Sequence, residues 1–193
     1  MARPRAEDYE ERLASILDKA AELFARSGFL GASVSEIAKA CDVSKSLLYH
    51  YYDSKEDILY GVMTSHIDML AEEAAEACAK NGDPEERLRD LLHRFMRHYA
   101  NAAARQKVLL NDLSHLPSKR RNVIVLKQRK IVDSVQMLLV EINPLLANNS
   151  NEARVRTMLL FGMINWTSNW YDSNGPITPS ELADLALTLA ISG

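Results

Sequence analysis

The sequence predicts an all-α protein, and three observations carry that expectation. Apolar residues recur at spacings of three and four along nearly the whole chain, the period of a helix face. Polar caps followed by an acid open run after run: Ser33 with Glu36, Ser54 with Asp57, Asp83 with Glu86. Strand signals are missing, because no hairpin dipeptide lies between alternating runs. From the N-terminus, residues 10–27 place Leu13, Ile16, Leu17, Ala20, Ala21, Leu23 and Phe24 on a helical period that Gly28 stops. Residues 33–59, "SVSEIAKACDVSKSLLYHYYDSKEDIL", then hold three helix starts in close succession. The third of these helices runs from Ser54 towards Lys80, with Leu59, Met63, Ile67, Leu70 and Ala74 as its stripe. "NGDPEERL" restarts the chain, with Asp83 as cap and Pro84 at the first helical position. Further helices are expected over residues 84–104, 106–116, 118–142, 152–171 and 179–191, with breaks at Pro117, Pro144 and "SNGPITPS".

A chain of 193 residues suffices for one domain, or for a small domain carried on a larger one. Hydrophobic residues make up 47% and charged residues 25%, the balance of a soluble globular protein. No apolar run approaches the roughly 18 residues a membrane span needs, and "MARPRAEDYEER" lacks the apolar stretch of a secretory signal. Cys41 and Cys78 give neither a disulfide framework nor a metal-ligand spacing, so a reduced, cytoplasmic setting is expected, with no membrane partner. The net charge of −3 excludes a protein that coats nucleic acid through bulk charge, and residues 1–60 hold 8 Lys/Arg against 11 Asp/Glu. Any contact with DNA must therefore rest on placed residues. There is no nucleophile elbow and no Gly-rich phosphate loop. The five histidines, His93 and His98 among them, are not at i, i+4 metal-ligand spacing. No catalytic site, metal or cofactor is expected.

The short helices are the informative part. Val34, Ile37 and Ala38 share one face of the first; Leu48 and Tyr52, four apart, would be buried together in the second. "CDV" between them has the length of a helix-turn-helix turn and ends in an anchoring Val43. Burying Leu48 and Tyr52 turns Lys45, Leu47, Tyr49, His50 and Tyr51 outward to varying degrees, giving a basic, hydroxylated and aromatic face at a helix N-terminus. The major groove admits such a helix. A small three-helix pack with an aromatic surface is the plainer alternative for this stretch, and a protein–protein adaptor without specific DNA binding is the other functional class for the chain.

Residues 27–59, "SGFLGASVSEIAKACDVSKSLLYHYYDSKEDIL", resemble the N-terminal domain of the tetracycline-repressor (TetR) family: a Gly-aromatic pair, small hydroxyl residues, Val, Ile-Ala, the turn, Leu-Tyr and Ser-Lys-Glu. The match extends over about residues 13–62. Four positions depart from the pattern: Cys41-Asp42 replaces Ala-Gly in the turn, Ser46 stands where Gly is frequent, and Ala32 where Thr is. Asp42 tolerates a left-handed backbone at some cost. The resemblance implies a helix-turn-helix DNA-binding domain over residues 1–53 and a ligand-binding and dimerisation domain over residues 54–193. It further implies that Ser44, Lys45, Ser46 and Leu47 meet bases or the adjacent backbone of a double-stranded operator. Tyr49, His50 and Tyr51 would hold phosphates, and Ser33 and Lys55 would clamp the DNA backbone. Ser33 and Ser44 have an alternative as helix caps, and Lys55 as a solvated charge. Arg3 and Arg5 would reach a minor groove as an arm, or belong to a free tail.

Beyond residue 54 the expectations concern a partner subunit and an effector. "VRTMLLFGMINWTSNWY" is apolar nearly all round, so it must be buried on more than one face, one against the core and one against a second copy, with an ordinary buried helix of a monomer as the alternative. "ELADLALTLAI" would join it in a four-helix interface. The expected interface residues are Phe161, Ile164, Tyr171, Leu182, Leu185 and Leu189. The inward stripes offer pocket walls for a small hydrophobic effector: Val62, His66, Met69, Leu92, Phe95, Tyr99, Leu110, Leu113, Met158 and Trp166. His66 would be a polar anchor there or a satisfied core histidine. "SKRRNVIVLKQRK" concentrates six cations, either as a solvated face or as a grip for the phosphates of a coenzyme A thioester. The tail from Phe161 resembles a TetR subgroup governed by acyl-CoA effectors. A repressor released from its operator by an acyl-CoA is the resulting expectation.

Overall fold

The computed structural model describes residues 4–172 and 175–192. Among them are nine α-helices, a few short 3₁₀ segments and no strand. The helices are α1 (Pro4–Gly31), α2 (Val34–Ala40), α3 (Lys45–Tyr51), α4 (Lys55–Ala79), α5 (Pro84–Asn101), α6 (Ala103–Asn111), α7 (Ser118–Ile142), α8 (Ser150–Trp166) and α9 (Pro179–Ile191). None is long and apolar enough to cross a membrane.

The boundaries follow local chemistry. Gly28 sits at φ 71°, ψ 162° and breaks α1 where the sequence stops it, although one further turn, Phe29–Gly31, follows. A Cβ at Gly28 would meet nothing within 4 Å, so backbone conformation and not space requires glycine there. Asp42 adopts φ 53°, the left-handed turn conformation expected of it. Asp83 caps α5 by accepting the Glu86 N–H at 3.0 Å, with Pro84 in the first turn. Three expected ends move. Ala102, at φ −124° and ψ 41°, divides α5 from α6, and α6 gives way to a 3₁₀ turn at Leu113–His115. α8 stops at Trp166 instead of residue 171, because the Thr167 hydroxyl donates to the Ile164 carbonyl at 2.6 Å and the chain tightens into a 3₁₀ turn.

The chain forms two compact units. One holds the chain to Ile67 together with Ala104–Ile124; the other holds Asp68–Ala103 and the chain from Val125. This division differs from the boundary at residues 53/54, since the first half of α4 buries Ile58, Leu59, Val62 and Met63 within the first unit. α6 and the turn after it also return there. Asp112 Oδ1 accepts the Phe29 N–H at 3.1 Å, the His115 ring stacks on Phe29 at 5.1 Å, and Arg105 pairs with Asp18 at 2.8 Å.

The second unit is built on α5, which packs along α9, with α8 beside α9. Leu88, Leu91, Leu92 and Phe95 of α5, Leu138 of α7, Leu160 of α8 and Leu187 of α9 are fully buried. Ion pairs tie these helices at their edges. Arg89 and His93 both reach Asp184 (2.8 and 2.9 Å), and Arg94 reaches Glu73 and Asp90, each at 2.8 Å. Hydrogen bonds from His93 and Arg89 lower the Asp184 pKa. Burial pushes Glu73 and Asp90 upward, but their cationic partners outweigh it and both lie below the ordinary carboxylate range.

On α8 the inward stripe is Ala153, Thr157, Leu160, Phe161 and Ile164, all buried. Phe161 and Ile164, expected at a subunit interface, are therefore packed into the core of this chain. The helical phase puts Val155, Met158, Leu159 and Trp166 outward instead.

Candidate nucleic-acid interface

α2 and α3 are each only seven residues long, below the length at which a helix holds itself in water, so caps and a few anchors fix them. Ser33 Oγ accepts the Glu36 N–H at 3.2 Å while Glu36 Oε2 accepts the Ser33 N–H at 2.8 Å, a complete capping box. Those hydrogen bonds from Ser33 hold the Glu36 carboxyl below its ordinary value. Ser44 Oγ accepts the Leu47 N–H at 3.0 Å at the head of α3. Ile37 and Ala38 anchor α2, and Leu48 alone is fully buried on α3. Tyr52 is half-buried and caps α3 with an extended backbone, so Leu48 does without the full partner expected for it.

This anchoring leaves Ser44, Lys45, Ser46, Tyr49 and His50 exposed, with Leu47 and Tyr51 half-buried. Lys45 Nζ lies 5.9 Å from the Tyr49 ring centroid one turn on. The Tyr51 ring lies tilted against Tyr9 at 5.2 Å and meets His50 edge-on at 5.7 Å. A groove of about 530 Å³ runs beside α3, lined by Leu30–Ser35, Lys45, Tyr49 and Asp53–Glu56. The fold thus brings Ser33, Lys45, Tyr49 and Lys55 to one concave surface. Leu47 faces another, with Arg12, Cys41 and Val43.

Lys55 has a structural task that its solvated or clamping alternatives did not anticipate. Its Nζ donates to the carbonyls of Phe29 (2.8 Å) and Ala32 (2.9 Å) and sits 4.3 Å from the Phe29 ring centroid. Only its remaining hydrogen is available to a phosphate. Arg120 is likewise engaged: it pairs with Asp57 and lies over the Tyr60 ring at 5.2 Å. Burial raises the Asp57 pKa, but hydrogen bonds from Ser54 and Arg120 outweigh it and leave that carboxyl low. Arg3 and the side chain of Arg5 lie outside the described residues.

The expected effector walls divide by burial. Val62, Leu92 and Phe95 are fully enclosed, Tyr99 nearly so, and Met69 and Leu113 half-buried. Leu110, Met158 and Trp166 are on the surface at 37%, 52% and 66% exposure, so none of the three encloses a cavity in this chain. His66 is buried, and its Nε2 lies within hydrogen-bond distance of Gln106 Oε1 at 2.8 Å. In the second unit, a cavity of about 110 Å³ is lined by Met96, Tyr99, Ala103, Thr167 and Tyr171. It is smaller than the ~300 Å³ at which ligand sites begin. Lys127 pairs with Asp68, while Arg129 and Lys130 are exposed.

Residues 16–61 match the family model described as bacterial regulatory proteins, tetR family, and residues 81–193 match that of the tetracyclin repressor-like C-terminal domain. The chain belongs to the TetR family of transcriptional regulators. Its helix-turn-helix is α2 and α3, and it is a DNA-binding regulator. It is similar to the HTH-type transcriptional repressor KstR2 of Rhodococcus jostii (strain RHA1), 24% identical over 186 residues that cover 94% of this chain and 90% of that protein. Against the HTH-type transcriptional activator FasR of Mycolicibacterium smegmatis it is 33% identical over 86 residues, 45% of this chain but only 39% of FasR. A TetR-family regulator from Bordetella parapertussis 12822 superposes with a TM-score of 0.89 at 38% identity, covering 94% of both chains. AibR, solved with isovaleryl coenzyme A and operator DNA, gives 0.80 at 25% identity, covering 92% of this chain and 97% of that one.

Proposed function

We propose that this TetR-family chain acts as a cytoplasmic homodimeric repressor that a small hydrophobic effector, an acyl-CoA thioester in the first instance, releases from its operator. The observation that carries the DNA contact is α3 itself: a seven-residue helix anchored by Leu48, with Lys45, Ser46, Tyr49 and His50 exposed. Lys45, Ser46 and Leu47 would read base edges, and Tyr49, His50 and Tyr51 would hold phosphates. Ser33 and Ser44 would add contacts beyond their caps.

The exposed apolar face of α8 and α9 supports the dimer. Val155, Met158, Leu159 and Trp166 stand on one, Leu185 and Leu189 on the other, with Leu182 half-buried. Two copies meeting there by a two-fold axis would present two α3 helices to half-sites ~34–36 Å apart or a multiple of it. Tyr171 would sit at the edge, where its hydroxyl donates to the Ile177 carbonyl at 3.0 Å.

Support for the thioester comes from the similarity to AibR, solved with isovaleryl coenzyme A, and from the exposed Arg129 and Lys130, whose charge suits phosphates. The effector would favour a dimer whose α3 helices no longer match the half-sites, and the shift can be no larger than its preference between the two states. Fluorescence anisotropy of the protein on its own upstream DNA, with and without a mixed acyl-CoA pool, tests this. Release by the pool supports the reading. Unchanged affinity removes the thioester, and tightened binding makes it a corepressor, an outcome suggested by AibR holding ligand and operator together.

A further inference from the structure

Leu30 is 77% exposed, the most exposed large apolar side chain among the described residues. Single exposed leucines are ordinary; the surroundings of this one are not. Phe29 and Ala32 beside it are buried at 4% and 3% exposure. Gly28 turns the chain just before it, and the Ala32 N–H closes that turn on the Gly28 carbonyl at 3.2 Å. Asp112 holds the Phe29 N–H, and Lys55 bridges the carbonyls of Phe29 and Ala32. The backbone is therefore fixed on both sides, and it holds an apolar side chain out in water at the rim of the groove shared with Lys45, Tyr49 and Ser54.

Resting on the reading that α3 enters the major groove, we propose that Leu30 packs against the deoxyribose of the DNA strand flanking that groove and positions the backbone for α3. The rim is mixed in charge: Lys45 and the hydroxyls of Ser33 and Tyr49 stand beside Asp53 and Glu56, while Asp57 takes the Ser54 hydroxyl and the Phe29 and Ala32 carbonyls hold Lys55. Lys45 and Tyr49 suit phosphates, and between successive phosphates a strand offers the apolar face of a sugar. The surface is continuous with the face of α3. A sugar contact carries no base information, so Leu30 would set affinity for all sequences alike.

Salt separates this contact from a charged one, because only neutralised phosphates release counterions. Wild type, Lys45→Ala, Leu30→Ala and Leu30→Lys are titrated on one operator duplex across a salt series, with thermal melts of each. Leu30→Ala is expected to melt like wild type and to bind about three- to tenfold more weakly, as loss of a partly buried leucine side chain implies, with the salt slope unchanged. Leu30→Lys is expected to steepen the slope of log K against log salt by about 0.9, the value for one added phosphate. Wild-type affinity for Leu30→Ala, or a wild-type slope for Leu30→Lys, overturns the proposal while a weakened Lys45→Ala leaves the DNA reading standing. If Lys45→Ala also binds as wild type, the reading that α3 enters the groove falls with it.

Discussion

α3 and α5 hold their places by different means. α3 has seven residues and one fully buried side chain, Leu48, and depends on the Ser44 cap. α5 has eighteen residues and buries Leu88, Leu91, Leu92, Phe95, Met96 and Tyr99. One helix is placed so that most of its surface stays available; the other is placed by surrendering most of its apolar face. A reading element can be small only because its single anchor and its cap are both specific, which makes it fragile in a way the long helices are not.

The largest effect that would test this contrast comes from Leu48→Ala set beside Leu92→Ala. Each removes a fully buried leucine, with an expected cost of about 2–5 kcal/mol in unfolding free energy. Leu48→Ala is expected to abolish operator binding even where urea titration shows the rest of the chain folded. Leu92→Ala should keep binding in proportion to its folded fraction. Equal loss of DNA affinity in the two would break the contrast.

Next in size is the exposed face of the second unit. Leu185→Lys with Leu189→Lys is expected to leave the melting of the monomer intact and to shift sedimentation from dimer to monomer. Operator affinity should fall about a hundredfold as bivalent attachment is lost. A dimer that survives both changes rules out this face as the interface. On the reading helix, Tyr49→Ala should cost about 1–3 kcal/mol of operator affinity with stability within about 0.5 kcal/mol of wild type, as for other surface changes. Asp42→Gly should raise stability by about 0.5–1 kcal/mol, since glycine takes the φ 53° backbone without the steric cost of a Cβ. A lower Tm would show that the Asp42 side chain has a compensating role.

The smallest effect is in the pH profile. Glu73, Asp90 and Asp184 lie below their ordinary values, so they are ionised in the folded state at a pH where the unfolded chain already takes up protons. Their stabilisation is present above the ordinary values of 4.5 for Glu and 3.8 for Asp, and is lost as pH falls through the lowered ones. Asp184→Asn should flatten the acid limb of unfolding free energy against pH while changing little at pH 7. An unaltered limb would remove Asp184 from that account.

Sequence reading went furthest in the reading head because its rules are local. The capping box at Ser33, the cap at Ser44, the stop at Gly28 and the left-handed Asp42 each depend on a few neighbouring residues. It went less far on α8, where an apolar helix shows that two faces are covered but not which face meets which neighbour. Phe161 and Ile164, expected at a subunit interface, lie among the buried residues of the chain for that reason. The partners of Lys55 and Asp112 within the chain are not legible in the sequence, since they lie at distances of 23, 26 and 83 residues.

The sequence by itself determined an all-helical chain, the helix-turn-helix, its caps and the residues α3 exposes, because helix period and capping are short-range interactions encoded within one turn or two. Only the tertiary structure decided where the compact units divide, that Lys55 serves the turn ahead of α2, that His66 meets Gln106, and which stripe of α8 remains uncovered. Those outcomes depend on which helices are brought together, and burial and long-range hydrogen bonds exist only once they are.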